Sequence, residues 1–256
     1  MGKDSAILWT DHTFNPWWGC VKVSPGCDNC YAETWARRKG HDVWGKDAPR
    51  RFFGDKHWND PLRWNRSAQK RGVRERVFCA SMGDVFEHNH DLIQPRVRLF
   101  ELIHQTPNLI WLLLTKRPHD IEVALFHGAG RGAIPDNVFL MTTVETNKYT
   151  WRMESLEKLG QPYGISVEPM LGPLNIPDRR QGTPMRFRPA WVICGGESGP
   201  GFRAPDPAWV RHLRDQCVER SIPFFFKQWG GLRPSSNGRV LDGREWLQTP
   251  WDNGRL

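Results

Sequence analysis

Three of the six cysteines, Cys20, Cys27 and Cys30, fall in one short stretch, GCVKVSPGCDNCYAE (19–33), spaced C-x6-C-x2-C. The stretch is too rich in Pro, Gly and Ser to be helical until YAETWARRK begins. In a reducing compartment, clustered thiols point to metal before disulfide, and a disulfide would leave one of the three unpaired. Zinc normally takes four protein ligands, so it would need a fourth, with His12 and His41 as candidates. A [4Fe–4S] cluster on three thiolates keeps one iron open, and that iron can chelate a small molecule. A loop of unmetallated thiols is the remaining reading. Cys79 and Cys194 lie inside apolar runs and Cys217 on the apolar side of a helix, so these three are expected in the core.

A second set of chemically capable residues recurs where apolar runs stop. Ser81, Met82, Gly83 and Asp84 end one run, Thr115 and Lys116 the next, and Thr143 and Glu145 the third. Glu168 follows, then Gly195, Gly196, Glu197 and Ser198, and finally Lys227 and Gln228. Glu168 precedes a proline, which holds it in an extended stretch. The GGESG run (195–199) allows a close backbone approach and presents Glu197. No GK[ST] follows it, so nucleoside triphosphate hydrolysis of the P-loop kind is discounted. Glu168, Glu197 and Lys227 are the candidate catalytic groups. Each of these residues could instead form salt bridges that tie strand ends together.

The elements that carry them form a repeating pattern. Runs at 76–84, 108–118, 137–146, 162–170, 190–199 and 222–230 recur every 25–32 residues, the spacing of βα units in a parallel sheet. An earlier run, 6–16, leads into the cysteine loop. The runs are nearly continuously apolar, as strands covered on both faces should be. Helices are expected over 94–105, with Val97, Leu99, Phe100 and Ile103 inward, over 147–160 from an Asn147 cap to Gly160, and over 206–220 from an Asp206 cap. The fold class is α/β, a full or partial (β/α) barrel of the TIM type, as one domain spanning 1–256. In such a barrel the carboxyl ends of all strands converge on one face, where active sites sit. Residues 41–75 read as a basic, turn-rich insertion, 172–189 as an excursion between strands, and the two Asn/Asp-Gly pairs after Gly231 as a small hairpin.

Longer motifs carry a family resemblance. WTDHTFNPWWGCVKVSPGCDNCYAE, SMGDVFE, LLTKRP, ISVEPMLGPL and CGGESGPGFRAPDPAWVRHLRDQC with PFFFKQWG together span nearly the whole chain. They resemble the uncharacterised phage-derived gene-product 37/68 family, a domain of unknown function, and its cysteine motif and layout look radical-SAM-like. Radical S-adenosylmethionine (SAM) enzymes chelate SAM on the open iron, and reductive cleavage yields a 5′-deoxyadenosyl radical that abstracts hydrogen from substrate. The resemblance implies a [4Fe–4S] cluster on Cys20, Cys27 and Cys30 and SAM as a second cofactor. It implies that Ser81, Met82, Gly83 and Asp84 hold the methionine ammonium, and that Thr143 and Glu145 contact the ribose or carboxylate. Tyr31, Thr115 and Lys116 would line the cofactor, and Lys116 and Arg117 would balance an anionic cluster or a substrate phosphate. The common radical-SAM pattern is C-x3-C-x2-C with an aromatic before the last cysteine. Here the first gap is six, and the aromatic, Tyr31, follows Cys30. That departure bears on SAM binding more than on the cluster.

The formal net charge of +8 and fourteen tryptophans point to a polyanionic partner, DNA or RNA. The basic residues are scattered, with no single block. No targeting or membrane-spanning pattern is present, so a cytoplasmic protein with no membrane partner is expected. The leading function is iron–sulfur, radical-SAM-like modification or repair of a nucleic acid or nucleotide-related substrate, served by a reducing partner such as a flavodoxin or ferredoxin. The alternative is a non-catalytic nucleic-acid-binding protein with a structural zinc or iron–sulfur loop. A metal-dependent hydrolase is the third; His88 and His90, beside Glu87 and Asp91, are its only close histidine pair.

Overall fold

The computed structural model describes residues 5, 7–128, 134–178 and 188–252. Seven strands, β1 (His12–Thr13), β2 (Glu75–Cys79), β3 (Leu109–Thr115), β4 (Val138–Thr143), β5 (Tyr163–Val167), β6 (Trp191–Gly195) and β7 (Phe224–Gln228), form one sheet. Its spatial order is the chain order. The β1–β2, β2–β3, β5–β6 and β6–β7 pairings are parallel. An order that never reverses is that of a singly wound (β/α) barrel, whereas a doubly wound sheet has a switch point. Strands β1 and β7 are its two edges, so of the full and partial barrels expected, the chain forms the partial one. The strands are shorter than the apolar runs: Thr115, Thr143, Gly195, Lys227 and Gln228 fall within their last residues, whereas Ser81–Asp84, Lys116, Glu145, Glu168 and Glu197 lie in the loops beyond. The run at 6–16 yields only the two residues of β1, because a turn closed by the Thr10 N–H on the Ile7 carbonyl occupies its start.

The chain divides into two compact units, Met1–Val23 with Ala32–Leu140, and Ser24–Tyr31 with Met141–Leu256. In the first, residues 41–75 are more ordered than a turn-rich insertion. Arg51–Phe52 pairs antiparallel with Trp17–Trp18, and Asp60–Arg71 is a twelve-residue helix leading into β2. Pro61 sits in its first turn and Gly72, at φ 65°, ends it. Trp64 and Ala68, one turn apart, are its buried contacts, and the polar residues between them obscured the period. The helix Ile93–His104 buries Leu99, Phe100 and Ile103 as expected, with Val97 half-buried. The helix Ile121–Gly128 was not anticipated, since its apolar residues include the exposed Val123 and Phe126 and give no clean stripe.

In the second unit the expected Asn147 cap is Thr146, whose hydroxyl accepts the Lys148 N–H and opens a short 3-10 turn. The helix Trp151–Glu157 follows. Asp206 caps Pro207–Glu219 by accepting the Ala208 N–H at 2.7 Å, and Val210, Leu213 and Cys217 are fully buried. The expected hairpin is Val240–Leu241 against Arg244–Glu245, turning on Asp242 and Gly243, both at positive φ. Beyond it, the Phe226 N–H donates to the Trp246 carbonyl and the Gln248 N–H to the Phe224 carbonyl, so this segment lies along β7. Most of the excursion at 172–189 falls outside the described residues. Eight of the fourteen tryptophans are buried, which leaves few for stacking on a ligand.

Candidate functional site

In the first unit, the loop after β2 is locked by Asp84. Its Oδ1 accepts the Thr115 hydroxyl at 2.7 Å and the Phe86 N–H at 3.0 Å. Its Oδ2 accepts the Lys116 N–H at 3.1 Å and the Arg117 guanidinium at 2.9 Å. A carboxylate has about four lone-pair sites, and all four are used here. Asp84 therefore ties the loop after β2 to the end of β3. Ser81 and Met82 are bonded to Asn15, through its side chain on the Ser81 hydroxyl and the Met82 N–H. Gly83 is required by packing, since a Cβ there would meet Trp17 Nε1 at 3.1 Å and the Gly19 carbonyl at 3.2 Å.

Cys20 lies against this lock. The Arg117 guanidinium reaches its sulfur at 3.6 Å and the Val21 carbonyl at 2.7 Å. Burial, with the nearby Asp84 charge, pushes the Cys20 thiol up to about 12 against the pull of Arg117. Arg117 itself stays firmly cationic, because Asp84 and Cys20 outweigh the cost of its burial.

In the second unit, two carboxylates hold the segment that bears Cys27 and Cys30. Glu145, with no exposed surface, accepts the Ser24 hydroxyl on Oε1 and the Arg152 guanidinium at 2.8 Å on Oε2. Gly26 lies so close that a Cβ would fall 2.5 Å from Glu145 Oε1. Glu197 accepts the Asn29 amide at 2.9 Å and the Arg203 guanidinium at 2.6 and 2.9 Å. Arg203 continues to the Pro25 carbonyl at 2.8 Å and to Asp28 at 3.4 Å. Burial opposes the Glu197 charge, but Arg203 and Asn29 outweigh it and hold its carboxyl below the ordinary range. Thr143 is buried, and its carbonyl accepts Arg152 at 2.8 Å.

Glu168 and Lys227, at the ends of β5 and β7, form a half-buried ion pair. Lys116 is half-buried, and among the described residues its ammonium has no acidic partner. Tyr31 opens the helix Tyr31–Arg38 and is 56 % exposed. Sequence reasoning missed Ser24, Asn29, Arg152 and Arg203, because each meets its carboxylate through the fold. A weak signal existed: Arg152 and Glu145 are buried charges of opposite sign, and buried charges need partners.

All six cysteines are free; Cys79, Cys194 and Cys217 are buried, and Cys20, Cys27 and Cys30 are half-exposed. The donor set of the loop thus suits a thiophilic metal or a cluster in kind: three half-exposed thiols on one loop, none in a disulfide. Among the described residues no three His, Cys, Asp or Glu side chains form a group able to hold a metal ion. Among them, no helix is long and apolar enough to cross a membrane.

A family model described as "Protein of unknown function (DUF5131)" matches residues 4–250. The chain belongs to that family. No curated protein matches it. Among solved structures this member of the family is similar to spore photoproduct lyase complexed with dinucleoside spore photoproduct, at 12% identity and a TM-score of 0.47, covering 77% of this chain and 58% of that one. It is also similar to a mutant of that lyase with bound AdoMet and dinucleoside spore photoproduct, at 12% identity and a TM-score of 0.45, covering 73% and 56%. The chain spans less than two thirds of the length of these lyase chains.

Proposed function

We propose that this protein is a radical-SAM-like iron–sulfur enzyme that modifies or repairs a nucleic acid or a nucleotide-related substrate. The observation that carries the reading is the division of the cysteines. Three are sealed in the core, and the three on the C-x6-C-x2-C loop are half-exposed and outside any disulfide. Cys20, Cys27 and Cys30 are the residues that would hold a [4Fe–4S] cluster, and when bound it supplies an open iron for SAM and an electron for cleaving the sulfonium. Arg117, 3.6 Å from the Cys20 sulfur, pulls toward the thiolate a ligand needs, against the burial and Asp84 charge that raise that thiol. Glu145, Glu197 and Arg203 keep the Cys27–Cys30 segment in one conformation, so less ordering is needed when a ligand binds. Glu168 and Lys227 supply a half-buried ion pair at the strand ends, with Lys227 Nζ donating to Glu168 Oε1.

Anaerobic reconstitution with iron and sulfide tests the reading. It should give a brown protein absorbing near ~400 nm, as thiolate-bound clusters do, and dithionite plus SAM should release 5′-deoxyadenosine. A colourless protein carrying stoichiometric zinc would reject it. One observation favours the second reading, a nucleic-acid-binding protein with a structural metal loop: Asp84, Glu145 and Glu197 are all engaged in holding loops. That reading expects salt-dependent binding of DNA or RNA with no turnover of SAM.

A further inference from the structure

Beside the cysteine loop, within the second unit, lies a hollow of about 340 Å³. Its walls include Pro25 of that loop, Tyr149, Met170, Arg203 and Trp209, with Lys148 at one side. The volume is at the low end for a small-molecule site, roughly 300–1,000 Å³, and a base pair or a duplex is too large for it. Three polar tips lining it make no hydrogen bond or ion pair among the described residues. Among the described residues neither the Lys148 ammonium, the Tyr149 hydroxyl nor the Trp209 indole N–H has a hydrogen-bond or ion-pair partner. Buried or half-buried aromatics normally find a partner for such groups, and here all three border one space. Arg203 differs, because Glu197 and Asp28 neutralise it and fix it in place. Lys148, whose ammonium lies 5.8 Å from the Tyr149 ring centroid, is thus the cation of the hollow that no carboxylate neutralises among the described residues.

The two faces of the hollow ask for different things. Tyr149 and Trp209, with the Met170 thioether, offer apolar and aromatic surface to a flat ring. The Tyr149 ring is held by cations, the Arg152 guanidinium 4.4 Å and the Lys148 ammonium 5.8 Å from its centroid. Lys148 offers one positive charge to an anion at the edge. A flat ring joined to one phosphate has both features. We infer that the hollow is the binding site for one nucleotide unit of a single-stranded nucleic acid, its base against Trp209 and Tyr149 and its phosphate at Lys148. The inference deepens the enzyme reading by naming the substrate class, and it rests on that reading only for the chemistry done there.

The test uses the full-length protein without added metal or SAM, so it is independent of cluster chemistry. Binding of fluorescein-labelled ten-nucleotide single-stranded DNA and RNA, and of the matching duplex, is measured by anisotropy over a salt series. Single strands should bind more tightly than duplex. Trp209→Ala should weaken single-strand binding about 5- to 150-fold, the ~1–3 kcal/mol that stacking on one base contributes. Trp209→Phe, which keeps a stacking face, should retain most of it. Lys148→Ala should lower the slope of log K against log salt by about one phosphate's contribution, ~0.7 for a single strand. Trp35→Ala, an exposed tryptophan outside the hollow, should change nothing. Equal losses from Trp35→Ala and Trp209→Ala, or duplex binding that matches single-strand binding, would overturn the assignment. Nucleotide binding that depends on Trp209 without any 5′-deoxyadenosine formation would keep the site and remove the enzyme reading; SAM cleavage with no such binding would do the reverse.

Discussion

Replacing Glu145 with alanine separates the role of this carboxylate in holding the cysteine segment from any role in ligand contact. Glu145 is fully buried, and its partner Arg152 is 1 % exposed. Removing one member of such a pair leaves an uncompensated buried charge, which costs about 3–5 kcal/mol. Arg152 keeps the Thr143 carbonyl at 2.8 Å and the Tyr149 ring at 4.4 Å, which places the cost toward the lower end. For a chain of this size, Tm should fall by roughly 2–4 °C per kcal/mol, so a drop of about 6–12 °C is expected in calorimetry. Ser24→Ala removes only the arm that reaches the loop. Its Tm should move by no more than about 4 °C, since one exchanged hydrogen bond contributes about 1 kcal/mol or less. In both variants iodoacetamide should alkylate Cys27 faster than in the parent, followed by peptide mass spectrometry, while buried Cys217 stays unmodified. A Glu145→Ala protein within about 1 kcal/mol of the parent, with unchanged Cys27 alkylation, would show that neither the pair nor the staple matters.

Glu197 gives a pH-dependent version of the same idea. Its folded-state carboxyl titrates below the unfolded value near 4.3, so its contribution is complete above that pH and lost as the pH falls through the folded value. The Tm gap between parent and Glu197→Gln, followed by thermal melts from pH 7 to pH 3, should therefore close in acid. Lys227→Ala should cost no more than about 1 kcal/mol, because the Glu168–Lys227 pair is half-exposed to water. A lost activity with an unchanged urea midpoint would place that pair in chemistry, whereas an unchanged activity would leave it a tie between strand ends. Single Ala variants of Cys20, Cys27 and Cys30 should each lower bound iron after anaerobic reconstitution, measured by inductively coupled plasma analysis. Cys217→Ala should leave it unchanged.

The strand pattern was legible because buried parallel strands are apolar throughout, and five-residue runs at regular spacing survive without any alignment. The division of the cysteines was legible for a related reason: Cys79, Cys194 and Cys217 sit in apolar surroundings, and the other three sit in a polar loop. The helix Asp60–Arg71 was hidden because it buries only one narrow side, where Trp64 and Ala68 are separated by polar residues. Local chemistry also misplaced a cap, since Thr146 lies one residue before the asparagine that looked the part. The roles of Asp84, Glu145 and Glu197 were hidden for a different reason. Ser24 and Glu145 are 121 positions apart and Asn29 and Glu197 are 168 apart, so no local pattern links them. A carboxylate after a strand looks the same in sequence whether it meets a ligand or a neighbouring loop.

The segment along β7 has a bearing on how the chain matures. Phe224, Phe225 and Phe226 form the outermost strand, and the backbone of 246–248 covers that strand's open side. An uncovered apolar edge is a template for pairing with other molecules. Because synthesis proceeds at roughly 5–20 residues per second, the three phenylalanines emerge before the residues that shield them. Until residues 246–248 follow, that edge stays open, and a chain cut short of Trp246 leaves it unshielded.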